Sequence, residues 1–257
     1  MIASGFSWFH LVPGVEDGSL VPFAPDHHAY LFVSACFVSG LLIVFGLLAR
    51  MALQRKLASA EGIEQFHADE GFTVFTMAEG LVEFLRGMQN GLLDKAHQRR
   101  WTPLIGALFT YIFLSNILSL VPGFQPPTDN INTNVGMALI VMVTYWAVGL
   151  ISDPKSFIAH ITGPVAVMAP LIGAIELLGL LVIRPVTLSL RLTGNMFADH
   201  TVFGVISGLV PLVVPVPFLV LAIVVSTIQA FVFTLLTTIY ISLSLPHGDH
   251  GDHHDHH

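Results

Sequence analysis

Residues 29–49 read AYLFVSACFVSGLLIVFGLLA, a run without a single charge. A helix needs roughly 20 such residues to cross about 30 Å of hydrocarbon, and further apolar runs follow at 103–120, 135–151, 164–209 and 218–245. None has the strict alternation of a barrel strand. Within lipid only helices and closed barrels satisfy their own backbone, so the chain reads as an all-α polytopic membrane protein. Composition agrees: of 257 residues, 54% are hydrophobic and 11% charged, which excludes an ordinary soluble domain. The net charge of −7 comes mainly from the termini and one loop, and so does not point to nucleic acid.

Seven of the ten Lys and Arg residues lie between Arg50 and Arg100. By the positive-inside rule this stretch is cytoplasmic and the N-terminus external. Residues 1–28 hold no Lys or Arg but include Glu16, Asp17 and Asp26, the wrong charge for a signal-peptide n-region, so no cleaved leader is expected. The organisation predicted is an external segment 1–28, a transmembrane helix 29–49, and a cytoplasmic loop 50–100. In that loop Phe75, Ala78, Val82 and Leu85 recur at helical spacing, as in a helix lying along the membrane surface. A transmembrane hairpin 101–163 follows, with an external loop 122–134 and a cytoplasmic loop 152–163. Residues 164–245 form the remaining membrane segments, and 246–257 a His- and Asp-rich tail. Cys36 is the only cysteine, forms no internal disulfide, and reads as a small buried hydrophobe.

The run 164–209 is too long for one upright span: as a helix it measures roughly 70 Å. Either it divides near Arg184 and Pro185, or it is one tilted or kinked helix. Within it stands Arg191, a guanidinium whose placement at a bilayer centre costs about 2.5–3.5 kcal/mol on insertion scales. A charge that costly marks function. Asn195 follows Arg191 by four residues and Asp199 follows Asn195 by four, so a helix carries all three along one stripe. Glu176 precedes Arg191 by fifteen residues, about 60° away in helical phase and roughly 22 Å along the axis. Asp199 and His200 are adjacent and either bond to one another or relay protons. In the last segment Ser226, Gln229, Thr237, Tyr240 and Ser244 share roughly one face. The hydroxyl residues there either line a polar seam or bond to their own backbone; Gln229, a carboxamide in hydrocarbon, needs a partner. A guanidinium keeps its proton and cannot relay one. It can interrupt a proton wire while attracting a mobile carboxylate, which has to come from elsewhere.

The stretch TLSLRLTGNM, 187–196, resembles the signature of subunit a of F-type ATP synthases, with Arg191 at the family's stator arginine. SNILSLVPGFQPPTDNINTNVGMAL, 115–139, and STIQAFVFTLLTTIYIS, 226–242, resemble the same family, so the likeness covers most of the chain. It implies a stationary proton channel in a bacterial plasma (inner) membrane, with a rotating ring of subunit c, the peripheral stalk subunit b and other ATP synthase subunits as partners. It implies two long tilted helices packed against the ring, a cytoplasmic C-terminus, and external and cytoplasmic half-channels kept from short-circuiting by Arg191. Asn195 and Gln229 match family positions beside the arginine, and His200 a position where members carry Glu or His. Where members with that His often carry a Glu seven residues before the glutamine, this chain has Ala222, and Asp199 is the candidate replacement. Glu176 is the matching glutamate one residue farther from Pro185 than usual. Asn116 and Asp129 match polar positions in the second span and external loop, and Tyr240 joins the pathway candidates. Protons rather than sodium ions are the expected cargo.

No phosphate-binding loop or nucleophile triad occurs, so the chain is expected neither to bind nor to hydrolyse ATP and to need no cofactor or metal. The tail, with six His and three Asp, reads as a solvated segment. A self-sufficient transporter predicts an internal repeat, which the sequence lacks. An intramembrane enzyme built on Asp199 and His200 lacks a nucleophile or metal motif. A mere scaffold has no need of Arg191.

Overall fold

The computed structural model describes residues 29–59, 73–121, 124, 126–152, 154 and 215–245, together with twelve separate positions between 178 and 205. Five long helices are defined: α1 (Ala29–Ser59), α2 (Val74–Gln89), α3 (Lys95–Leu118), α4 (Ile131–Ser152) and α5 (Pro215–Ser244), with a 3-10 turn at Pro127–Asp129. All but α2 are long and apolar enough to cross a membrane. The described residues contain no strand, and the chain is an all-α polytopic membrane protein.

The helices outrun the apolar stretches that announce them. α1 continues ten residues past Ala49 through Arg50, Arg55 and Lys56. Those residues are good helix formers, and loss of hydrocarbon does not end a helix. The Lys56 ammonium lies 4.7 Å from the centre of the Phe75 ring, which joins the end of α1 to the start of α2. α3 likewise begins at Lys95, eight residues before Pro103. Asp94 starts it, its carbonyl accepting the Gln98 N–H at 2.8 Å. The turn between α2 and α3 needs a left-handed residue, supplied by Gly91 at φ 84°.

α3 organises the bundle. Its inward residues recur with helical period and change character along the helix: Gln98 and Thr102, then Ile105, Leu108, Phe109 and Ile112, then Ser115 and Asn116. The apolar middle meets Leu85 of α2, Met137, Ala138 and Val141 of α4, and Ala230, Phe233 and Ile241 of α5 in one core. Phe84 adds ring contacts to Phe109 and Phe231, with centroids 5.6 and 5.9 Å apart. α2 is thus docked on the bundle through Leu85 and Met88, while Met77, Val82 and Phe84 remain exposed. Val82 does not share the buried face of Leu85, because the inward stripe of α2 runs through Leu81, Leu85 and Met88 instead.

Hydrogen bonds between the helices fix their directions. The Ser242 hydroxyl donates to the Leu92 carbonyl at 2.6 Å, so the C-terminal end of α5 lies beside the turn that precedes α3. The start of α4 lies at the other end, near the end of α3.

α1 buries only a narrow face at Leu31, Ser34 and Val38 and exposes Phe37, Leu41, Ile43, Val44 and Leu47. Cys36 is exposed on this helix, not buried. Lipid tails are as apolar as a packed helix face, so hydropathy alone does not place this side chain.

Two substitutions test the packing. A Cβ on Gly106 would stand 3.1 Å from a Leu85 methyl, so Gly106→Leu should lower the thermal midpoint in detergent while Gly106→Ala changes it little. Leu85, 1% exposed, should cost about 2–5 kcal/mol on truncation to Ala, read as a lower midpoint with retained helical circular dichroism.

Candidate functional site

Buried polar side chains join the helices at both ends of the apolar core, and others lie along α5. At the end facing the α2–α3 turn, Gln89 is fully buried. Its Oε1 accepts from the Thr102 hydroxyl at 2.9 Å, and Gln98 Nε2 donates to the Leu93 carbonyl at 2.8 Å. The Thr102 hydroxyl also lies 2.6 Å from the Gln98 carbonyl. These carboxamides lock α2 to α3 just beneath the basic residues Arg99 and Arg100.

At the other end, Asn130 opens α4 by accepting the Asn132 N–H on its side-chain oxygen at 2.8 Å. Asn134, one turn on, is fully buried. Its Nδ2 donates to the Thr128 carbonyl and to the Thr193 hydroxyl, both at 2.8 Å. The Thr128 hydroxyl, also fully buried, lies 3.3 Å from Asn116 Oδ1. Asn116 therefore enters a chain of polar groups, Asn116–Thr128–Asn134–Thr193, that joins α3, the 3-10 turn, α4 and the segment carrying Arg191. Neither Asn134 nor Thr193 was singled out by the sequence. The available signal was the register of Asn134 with Met137, Ala138 and Val141, a carboxamide at the head of an inward apolar stripe.

The described positions from 186 to 205 are helical, Arg191 among them. Ser189 is buried and Thr193 half-buried, one turn apart on the same face, whereas Thr187, Leu190, Arg191, Gly194, Thr201 and Val205 are exposed. Arg191 is thus exposed, on the side of its helix opposite Ser189 and Thr193.

On α5, Ser226 and Gln229 are each 4% exposed and Tyr240 is half-buried. The Thr237 hydroxyl donates to the Phe233 carbonyl at 2.9 Å and the Ser244 hydroxyl to the Ile241 carbonyl at 2.8 Å, so these two are served by their own helix. Buried Thr234 and Thr238 do the same. Of the remaining candidates, Glu176, Asn195, Asp199 and His200 lie outside the described residues, as does the side chain of Asp129. Among the described residues no three His, Cys, Asp or Glu side chains gather as a metal site would require.

Comparison with known proteins matches residues 32–242 to the family described as ATP synthase A chain. The chain is 34% identical over 247 residues to ATP synthase subunit a of Bdellovibrio bacteriovorus, covering 94% of this chain and 98% of the relative. It is 41% identical over 181 residues to ATP synthase subunit a of Sorangium cellulosum, covering 70% and 71% respectively. A third relative, ATP synthase subunit a of Citrifermentans bemidjiense, is 42% identical over 175 residues, 66% of this chain and 76% of the relative. A family match spanning the middle two of the four candidate membrane helices in full and nearly all of the first and last, together with relatives at these identities, establishes that the chain belongs to the ATP synthase subunit a family.

Proposed function

We propose that this chain is the stator half of a rotary proton channel, in which Arg191 separates an external from a cytoplasmic half-channel beside a ring of subunit c. The observation that carries this reading is the outward presentation of Arg191 from a helix whose opposite face, Ser189 and Thr193, packs inward. A guanidinium left facing hydrocarbon would be costly, so its face calls for a partner with complementary charge. A carboxylate carried past on a rotating ring meets that need. Neutralised by a proton from one half-channel, the carboxylate can enter lipid; ionised on returning, it is held by Arg191 until the proton has left on the other side. Because a guanidinium does not exchange its proton, the two half-channels never join.

Within this scheme Asn195 and Gln229 orient or hydrate the Arg191 region. Asn116, Asp199 and His200 belong to the external path, and Glu176 and Tyr240 to the cytoplasmic one. Subunit b and the other ATP synthase subunits hold the stator, with α2 along the cytoplasmic membrane surface. The helix directions support a cytoplasmic C-terminus. α5 ends beside the α2–α3 turn, at the end of the bundle that carries Arg99 and Arg100, and positive charge belongs inside. α4 ends on that side too while α5 begins opposite, which leaves the intervening chain one net crossing and favours a single tilted helix over two spans. The setting is the bacterial plasma (inner) membrane, with residues 1–28 outside.

In inverted vesicles at matched complex content, Arg191→Ala should reduce ATP-driven proton pumping to background while passive leak through the membrane sector does not fall. Pumping near the native level would remove Arg191 from the mechanism. For sidedness, Leu245→Cys on a Cys36→Ser background should react with an impermeant maleimide in inverted vesicles and not in spheroplasts; the opposite labelling would reverse the topology.

A further inference from the structure

The Asn134–Thr193 hydrogen bond joins positions 59 residues apart and ends two residues from Arg191. We infer that this bond positions Arg191, by fixing the back of the arginine helix to the head of α4 so that the guanidinium is held at one depth and one azimuth toward the ring. The inference rests on the stator role proposed for Arg191 and adds to it a residue that sets the arginine's place.

Helix geometry supplies the lever. Residues two apart stand about 200° from one another around the axis, so a tether at Thr193 lies behind Arg191 and leaves its front clear. Thr193 also shares the inward face of Ser189, one turn earlier, so the tether falls on the side already packed against the chain.

The anchor itself is rigid. Asn134 is fully buried, and its two amide hydrogens are committed, one to the Thr128 carbonyl and one to the Thr193 hydroxyl. The Thr128 carbonyl accepts only, so a flipped carboxamide would set oxygen against oxygen, and the hydrogen-bond pattern fixes the orientation. Thr128 is in turn fully buried and within reach of Asn116 on α3. Force on the arginine helix is therefore transmitted to the hairpin through the two amide hydrogens of Asn134, whose side-chain oxygen is buried without a hydrogen-bond partner among the described residues.

In a low-dielectric site the loss of such a bond frees the helix to rotate or slide. One neutral hydrogen bond corresponds to about a fivefold shift between two positions of the helix. Misplacement of Arg191 then shows as slip, with protons crossing or ATP consumed without coupled transport, rather than as loss of the complex.

The experiment compares ATP-driven proton pumping with ATP hydrolysis in the same inverted vesicles, using the assembled enzyme at matched content. Thr193→Val keeps the shape and removes the acceptor; Asn134→Leu removes the donor; Thr193→Ser restores a hydroxyl. The pumping-to-hydrolysis ratio should fall about fivefold in Thr193→Val and at least as far in Asn134→Leu, which also removes the bond to the Thr128 carbonyl, recover in Thr193→Ser, and in the double variant fall no further than in Asn134→Leu, since both changes break the Asn134–Thr193 link. If a single variant assembles poorly, recovery of assembly but not of the ratio in the double variant also supports the tether. A native ratio in both single variants, additive losses in the double, or an assembly defect that the double does not reverse would overturn it. Arg191→Ala in the same vesicles separates the two claims: normal pumping there removes the stator role itself, whereas lost pumping there with native ratios in the Thr193 and Asn134 variants removes only the tether.

Discussion

Inside hydrocarbon a polar group has no water to fall back on, and the hydrogen bonds made by Gln89, Gln98, Asn116 and Asn134 fix how the helices meet. Among the described residues Gln89 Nε2 and Asn134 Oδ1 nevertheless stay buried without a partner. The apolar core made by α2, α3, α4 and α5 is closed at one end by Gln89, Gln98 and Thr102 and at the other by Asn116, Thr128 and Asn134. Apolar contacts between helices in lipid are weakly directional, because lipid tails are as apolar as leucine. The end clusters supply the direction. Each fixes a particular side chain to a particular carbonyl or hydroxyl, and together they set the register of α2 and α4 on α3.

The Arg191 segment inherits its position from the second of these clusters. Its inward face joins a network that begins on α3, and its outward face is left to a partner. Under the proposed function, a pinned back and an open front are what a stator surface would require: the ring would pass the front while the charge facing it stays in place. The exposed residues beside Arg191 are small or aliphatic at Thr187, Leu190, Gly194, Thr201 and Val205, with no second described charge among them. In the proposed mechanism, a single fixed cation on such a face would attract a passing carboxylate at one point only.

Much of this was legible in the sequence. Uncharged runs located four helices, while the cytoplasmic side assigned to the basic loop and the central role given to Arg191 rest on the proposed function. What the sequence did not reveal follows from the same physics. Helix ends were placed where the apolar run stopped, yet α1 and α3 extend through Arg50–Lys56 and Lys95–Arg100, since a charged helix can continue in water. Cys36 was expected inside and is exposed, because hydropathy does not distinguish a lipid-facing side from a packed one. The α5 hydroxyls left two readings open, a polar seam or bonds to their own backbone, and Thr237 and Ser244 take the second. Asn134 was hidden because its importance lies in a partner 59 residues away, which no local spacing discloses.

The central claim, that the outward face around Arg191 is the surface the ring runs along, is tested most directly by cross-linking. Single cysteines at Leu190, Gly194 and Thr201, in a Cys36→Ser background, would be oxidised against a subunit c carrying one cysteine beside its membrane carboxylate. Cross-links from these three positions, absent from the buried Ser189, with rotation-coupled ATP hydrolysis stopped until the bond is reduced, are the result the account predicts. Cross-linking from Ser189 but not from Leu190, Gly194 and Thr201, or from none of the four, would contradict it.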